Sequence, residues 1–296
     1  MRVVVTGGTG FLGTHLGAAM RDGGDEVVVV SRTPGAGTIG WDELPAAVDG
    51  AGAVINLAGA TIARRWSEAG KRAIRESRLA STRRVVEAVR KAKQRPAVVV
   101  SQSAVGAYGP RGDEEIGEDA PPGDDFLARV CLAWETEAAP IAALGVRLAI
   151  LRTGVVLARD GGALARMWTP FSLGLGGPVG AGTQPFPWIH IGDWVALCRF
   201  AILTGGATGP LNATAPGIVT SREFAKALGR ALGRPAVLPL PAAALRLALG
   251  EMAQMLLTGQ RAAPRRATAL GFRFAYPAID VALAQIASRA SRRMLG

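Results

Sequence analysis

Cysteine, histidine, lysine and tyrosine are all scarce in this chain of 296 residues. Two cysteines, Cys131 and Cys198, and two histidines, His15 and His190, are too few for a disulfide scaffold or a His/Cys metal centre, so no metal is expected. The tyrosines are Tyr108 and Tyr276, the lysines Lys71, Lys91, Lys93 and Lys226, which limits any chemistry that needs the two side by side. No uninterrupted apolar run approaches the roughly 18 residues of a membrane-spanning helix. The chain opens on a strand that feeds a glycine turn, leaving no stretch for a signal peptide, and the expected location is the cytoplasm. With 49% hydrophobic residues, it can bury the core of one large or two smaller soluble domains.

Basic residues, by contrast, are in surplus, and the net charge is +11. Between Arg64 and Arg95 stand twelve basic residues against three acids, Glu68, Glu76 and Glu87. They share that stretch with Ile74, Leu79, Val85, Val86 and Val89, the pattern of a surface helix with one solvated face. Only Trp66 supplies an aromatic ring there, and no nucleic-acid motif is visible. Specific nucleic-acid binding is therefore not expected, and attraction of small anionic ligands is.

The most informative string is Thr6-Gly7-Gly8-Thr9-Gly10-Phe11-Leu12-Gly13, directly after the apolar run Val3-Val4-Val5. It places a glycine turn between a buried strand and a helix, and a second strand, Glu26 to Val30, completes a βαβ unit. One glycine permits the bend, one lets backbone approach a pyrophosphate and one lets helix pack on strand. The helix N-terminus then offers free N–H groups and a positive dipole end to the phosphate. Gly7, Gly10 and Gly13 are spaced by three, and Gly8, Gly10 and Gly13 by two then three, so the glycines alone leave both fingerprints open.

The end of the second strand indicates which dinucleotide. NAD is held by an acid about 20 residues beyond the glycines, on its ribose 2′-hydroxyl. Here Ser31 and Arg32 occupy that place, while Asp25 and Glu26 sit at the strand's other end. A hydroxyl and a guanidinium fork suit a 2′-phosphate, which favours NADP(H) over NAD(H).

Further strands are predicted at Ala53 to Leu57, Ala97 to Ser101 and Val146 to Leu151, alternating with helices at Ser67 to Ala92 (broken near Ser77 to Thr82) and Phe126 to Leu144. This alternation predicts an α/β fold, a Rossmann-like doubly wound parallel sheet, with a smaller, partly interleaved C-terminal substrate region. The expected division is 1–158 for the dinucleotide, 159–249 for a mixed substrate-side region and 250–296 for a short C-terminal domain. Gly161 to Gly182 reads as a substrate-side loop or lid, Asp193 as the cap of a helix from Trp194 to Leu203, and Ser221 as the start of a capped helix to Leu232. Ligands in such sheets bind beyond the carboxyl ends of the strands. Candidate cofactor contacts are Gly7, Thr9, Gly10, Phe11, Leu12, Gly13, Ser31, Arg32, Leu57, Ala58, Gly59, Ser101 and Thr153.

The glycine string, Asn56-Leu57-Ala58-Gly59, Ile74-Arg75-Glu76-Ser77-Arg78, the stretch from Phe126 to Glu135, Pro187 to Asp193 and the tail Gly271 to Pro277 together resemble the extended short-chain dehydrogenase/reductases. The branch is the atypical one that carries a C-terminal domain of unknown function, from about Gly250 here. The resemblance spans nearly the whole chain. It implies an epimerase-like or oxidoreductase activity on a small molecule, and a homodimer formed through a helix pair.

That family's chemistry uses a Ser, a Tyr and a Lys four residues after the Tyr, since a free Tyr titrates near 10 and must be lowered to move protons at neutral pH. Ser103 matches the Ser. No Tyr-x-x-x-Lys exists in the chain, and alignment puts Phe126 and Val130 at those positions, in an apolar stripe with Trp134. The remaining candidates for acid/base work are Tyr108, swinging from a glycine-flanked loop, Cys131, Glu135 and His190. Two readings stay open: an enzyme with a nonstandard proton carrier, or a catalytically silent NADP-binding redox sensor or assembly factor.

Overall fold

The computed structural model describes residues 1–294, with side chains through Ser288; the last two residues of the expected 250–296 segment lie outside the described residues. Seven strands form one parallel sheet: β1 (Arg2–Thr6), β2 (Glu26–Val30), β3 (Thr38–Ile39), β4 (Ala53–Asn56), β5 (Val98–Ala104), β6 (Arg147–Thr153) and β7 (Gly209–Ala213), in the order β7-β6-β5-β4-β1-β2-β3. The order reverses at β1, so the crevice beyond the carboxyl ends of β1 and β4 is where a ligand sits in such a sheet.

The valine-rich strands are buried on both faces, as a covered parallel sheet requires. Val3, Val5, Ile55, Val100 and Leu151 face a layer containing α1 (Phe11–Asp22), while Val4, Val54, Val99 and Ile150 face α2 (Leu44–Val48) and α3 (Glu68–Lys91). Next come α4 (Phe126–Ala138), packed on α3, and α5 (Ile191–Leu203), which joins α1 on the first face. The α/β, Rossmann-like class read from the alternation is the one observed.

Four local expectations are corrected. First, α3 runs unbroken for 24 residues. Ser77 and Ser81 donate back to the carbonyls of Ile74 and Arg78, which lets hydroxyl residues continue a helix rather than end it. Second, the glycine-rich stretch after Gly161 contains a helix, Gly162–Ser172, with Leu164, Trp168 and Phe171 buried on its inner side. Third, His190 rather than Asp193 caps α5, its Nδ1 accepting from Gly192 N at 3.0 Å. Fourth, Thr220 caps α6 (Ser221–Leu232) in a reciprocal box with Glu223.

The C-terminal segment folds back over the sheet. Arg261–Ala262 pairs in parallel with Glu115–Ile116, Ala267 and Phe272 enter the core beside α1 and α5, and α7 (Ile279–Met294) lays Ile279, Leu283 and Ile286 against Phe224 and Leu228 of α6.

Candidate functional site

The glycine turn is shaped by contacts that no side chain could share. Gly7 has φ +70°, and a Cβ there would stand 2.9 Å from the Ala58 backbone. At Gly13 a Cβ would meet Gly8 Cα at 2.5 Å and Gly7 O at 2.6 Å, so the first turn of α1 rests directly on the loop. Gly10, exposed, caps α1 with no side-chain bond. The N-terminal amides of α1 are therefore left for a ligand, the arrangement that receives phosphate. Thr9 is exposed beside them, and Phe11 and Leu12 are half-buried, Phe11 beneath Gly161.

At the end of β2, Ser31 accepts from Thr33 N at 3.3 Å, while exposed Arg32 makes no hydrogen bond or ion pair among the described residues. Across the crevice the loop after β4 carries Leu57, Ala58 and Gly59. It is held by Ser81, which donates to Ala58 O at 3.0 Å, and by Arg78, whose Nη1 donates to Ala60 O at 3.0 Å and Ile74 O at 2.9 Å. Beneath, a buried chain joins β1, β4, α3 and α4: Thr6 donates to Asn56, Asn56 to Thr82, and Trp134 Nε1 to Thr82, at 2.7, 2.9 and 3.0 Å. Ser101 is buried at the end of β5, and Thr153 on β6 accepts from Trp194 Nε1 at 3.1 Å.

Two residues that sequence reasoning passed over lie near the carboxyl ends of β4 and β5. Gln102 on β5 points to the face opposite Ser103, and its Oε1 is a buried acceptor with no partner. Arg78 stacks on Trp134 at 5.1 Å and has no carboxylate partner among the described residues. Its sequence signal was the spacing Ile74, Arg78, Thr82, which puts it on the inner stripe of α3 rather than on the solvated basic face.

The predicted catalytic candidates divide into two groups. Ser103 Oγ donates to Glu135 Oε1 at 2.7 Å, and Glu135 takes a two-pronged bond from Arg152, Nε at 2.9 Å and Nη2 at 2.8 Å. Arg152 Nη1 donates to Tyr108 Oη at 3.0 Å, and Tyr108 donates to Asn212 Oδ1 at 2.7 Å. Asn212 closes the cluster onto the C-terminal segment, its side-chain Nδ2 donating to Ala263 O at 2.9 Å, and its backbone N–H donates to Glu118 Oε1 at 3.0 Å. Tyr108 is thus locked at 1% exposure in a short 3-10 turn rather than swinging on a loop, and burial pushes its hydroxyl up from the ordinary tyrosine range.

Cys131 lies beside Ser103 and the Ala104 backbone, 4% exposed, its thiol pushed up to about 11 chiefly by burial, with Glu135 adding to the effect. His190 is elsewhere. It caps α5, meets Gln285 on α7 through Nε2 at 3.0 Å and stacks on Tyr276, while neighbouring Asp193 accepts from Ala275 N and Tyr276 N. With Nδ1 accepting from Gly192, Nε2 carries the proton that Gln285 receives. His190 therefore anchors the tail.

The stripe of α4 that faces β5 is also one residue away from the aligned one. Phe126 and Val130 pack against Trp66 and Ile74, whereas Glu135 meets Ser103, and a Cβ on Gly106 would touch Leu127 at 3.4 Å and Cys131 at 4.0 Å. Among the described residues no group of His, Cys, Asp and Glu could hold a metal, and no helix is long and apolar enough to cross a membrane.

A dinucleotide matches what this crevice presents. The glycine cradle has no room for side chains, the α1 amides lack a side-chain cap, and among the described residues Arg32 has no partner and Gln102 Oε1 is an orphaned acceptor. Comparison with known proteins agrees. Residues 3–213 match the NAD dependent epimerase/dehydratase family, and residues 240–286 a domain of unknown function, DUF1731. The human epimerase family protein SDR39U1 is 44% identical over 97% of this chain and 99% of its own, and the Bacillus subtilis epimerase family protein YfhF is 38% identical over 97% and 98%. A crystal structure of human SDR39U1 with NADPH superposes with a TM-score of 0.92 at 43% identity, covering 97% of this chain and 99% of that one. The Bacillus cereus UDP-glucuronic acid 4-epimerase, at 17% identity and a TM-score of 0.78 over 98% and 100% of the two chains, shares the fold.

Proposed function

The chain belongs to the NAD dependent epimerase/dehydratase family, and from that premise we propose that it binds NADP(H) across the crevice of β1, β2 and β4 and acts on a small molecule as an oxidoreductase or epimerase-like enzyme. The observation that carries this reading is the uncapped α1 N-terminus behind a glycine cradle, with a guanidinium, Arg32, at the end of β2 that has no partner among the described residues. Gly7, Thr9, Gly10, Phe11, Leu12 and Gly13 would surround the pyrophosphate, and Ser31 and Arg32 the 2′-phosphate. Leu57, Ala58, Gly59, Ser101 and Thr153 would line the nicotinamide side, with Gln102 offering its free carbonyl oxygen to an N–H or O–H donor. The bound nicotinamide would supply hydride acceptance or donation. That the NADPH-containing SDR39U1 structure is so similar supports the choice of NADP(H).

Calorimetric titration tests the cofactor. NADPH should bind at least tenfold more tightly than NADH, and Arg32→Ala should erase most of that difference while leaving NADH affinity within about twofold. Equal affinities in the parent protein would overturn the assignment.

A second reading, a non-catalytic NADP(H) sensor, is favoured by one observation. Ser103 is only 1% exposed and its hydroxyl is already committed to Glu135. A substrate-library screen following NADPH absorbance separates the two. Turnover that falls with Ser103→Ala supports the enzyme, and tight cofactor binding without turnover across alcohols, ketones and nucleotide sugars supports the sensor.

A further inference from the structure

Nine large apolar side chains are exposed among the described residues, and six of them lie in one region: Leu173, Leu175, Val237, Leu238, Leu240 and Leu247. Ordinary surfaces scatter such side chains singly, so this concentration marks a place of contact. Two chain segments build most of it. Leu238 N donates to Gly176 O at 3.1 Å, Leu240 N to Pro178 O at 2.9 Å, and a Cβ on Gly177 would strike Leu238 O, so residues 173–178 and 235–240 lie side by side. Gly174, with φ +73°, turns the chain between Leu173 and Leu175 against Pro235, and Arg234 Nε ties the base to Ser172 O at 3.0 Å. Leu247 follows on the helix Ala242–Leu249, whose first residue adjoins Gly180 and which buries only Leu245.

Shape and charge indicate the occupant. Neighbouring Val237 and Leu238 are both exposed, so the segment presents apolar side chains on either side and projects as a finger rather than lining a groove. Pro235, Pro239 and Pro241 withhold N–H donors, which hinders another chain from adding to the finger as a strand. Its border is basic. Val237 shares a depression with Lys226, Arg230 and Arg234, and exposed Arg246 precedes Leu247 on the helix. Arg230 pairs with Asp280 at 2.6 Å, whereas Lys226, Arg234 and Arg246 have no carboxylate partner among the described residues. A second copy of the chain would bring the same cations to the contact, and the net charge of +11 opposes it further. Projecting apolar side chains with cations around their base suit a surface that is anionic outside and apolar beneath. We propose that the finger docks on the face of a bilayer containing anionic phospholipid. Leu175, Val237 and their neighbours enter the boundary between headgroups and acyl chains, and Lys226, Arg234 and Arg246 meet the phosphates. The attachment is to one leaflet, and no described helix is long and apolar enough to cross it. The 11-residue helix Gly162–Ser172, about 16 Å long, separates the finger from Gly161 over Phe11, so the inference stands apart from what the crevice binds.

Co-sedimentation at fixed ionic strength tests this, with vesicles of phosphatidylcholine alone and of phosphatidylcholine and phosphatidylglycerol in equal parts. The parent should bind the mixed vesicles about tenfold or more tightly than the neutral ones. Leu175→Asp with Val237→Asp should weaken that binding about tenfold or more, and Lys226→Glu with Arg246→Glu by a similar factor. Arg72→Glu with Lys93→Glu, at exposed positions outside the patch, changes the net charge as much as the second pair and should cost less than about threefold. An unchanged urea midpoint certifies the fold of each variant, and Leu175→Ser with Val237→Ser, expected to weaken binding in the same direction, serves if the aspartates do not fold. Mixed-vesicle binding that is absent in the parent, or unchanged when Leu175 and Val237 are replaced, overturns the proposal. So does a loss in the Arg72 and Lys93 pair as large as in the finger, which is adsorption by net charge alone. Light scattering adds the last arm: a parent dimer that Leu175→Asp with Val237→Asp returns to monomer makes a second copy the occupant and likewise overturns it.

Discussion

Breaking the Glu135–Arg152 pair should destabilise the protein far more than removing the pair altogether. The two side chains are 12% and 10% exposed and meet at 2.8 Å. In Glu135→Leu the Arg152 guanidinium would keep only Tyr108 Oη and Glu118 O, and Ser103 would lose its acceptor. A buried charge stranded in this way costs about 3–5 kcal/mol. At roughly 2–4 °C per kcal/mol for chains of this size, the melting temperature should fall by about 6–20 °C. Replacing both partners, Glu135→Leu with Arg152→Met, removes the stranded charge and should recover stability to within about 1–2 kcal/mol of the parent, because Tyr108 still donates to Asn212. Urea unfolding followed by tryptophan fluorescence gives all four corners of the double-mutant cycle. If Glu135→Leu loses under 1 kcal/mol, or if the double variant loses the sum of the two singles, the buried-pair reasoning fails.

Three other outcomes are expected. Gly13→Ala should abolish dinucleotide binding and lower stability by a few kcal/mol, since its Cβ would meet backbone atoms at 2.5 and 2.6 Å; retained NADPH affinity would show that the turn relaxes. Cys131, with its thiol raised to about 11 by burial, contributes stability that is complete below the unfolded thiol's range near 9 and lost as pH climbs from there towards 11; Cys198, also raised by burial, adds to the same slope, so stability measured by denaturation should decline across that window and neither thiol should react with Ellman's reagent at pH 8 without denaturant. His190→Ala removes the α5 cap and the bond to Gln285, and should cost about 1–2 kcal/mol while leaving NADPH affinity within about twofold, whereas a tenfold affinity loss would return His190 to the site.

The glycine string, the strands β1, β2, β4, β5 and β6 and the end of β2 were legible because each rests on neighbours within a few residues: apolar runs, a turn, a helix start. The unbroken α3 was not, because whether Ser77 and Ser81 end a helix or bond back to it depends on the β4 loop they meet. Alignment chose Phe126 and Val130 on α4, but one residue on a helix is a rotation of about 100°, and only packing shows that Cys131 and Glu135 face Ser103. Arg78 was hidden among twelve basic residues by its type, although its spacing from Ile74 and Thr82 marked it as inward.

By itself the sequence determined the sheet, its winding and a dinucleotide cradle, because short-range patterns of glycine and valine specify backbone shape and burial locally. Only the tertiary structure decided which polar groups are committed and which are available. Tyr108, Glu135 and His190 are separated in the chain by 104, 17 and 95 residues from Asn212, Arg152 and Gln285, and those partners engage each candidate proton carrier in a hydrogen bond inside the fold. The same long-range folding leaves the Gln102 Oε1 acceptor buried with no partner among the described residues.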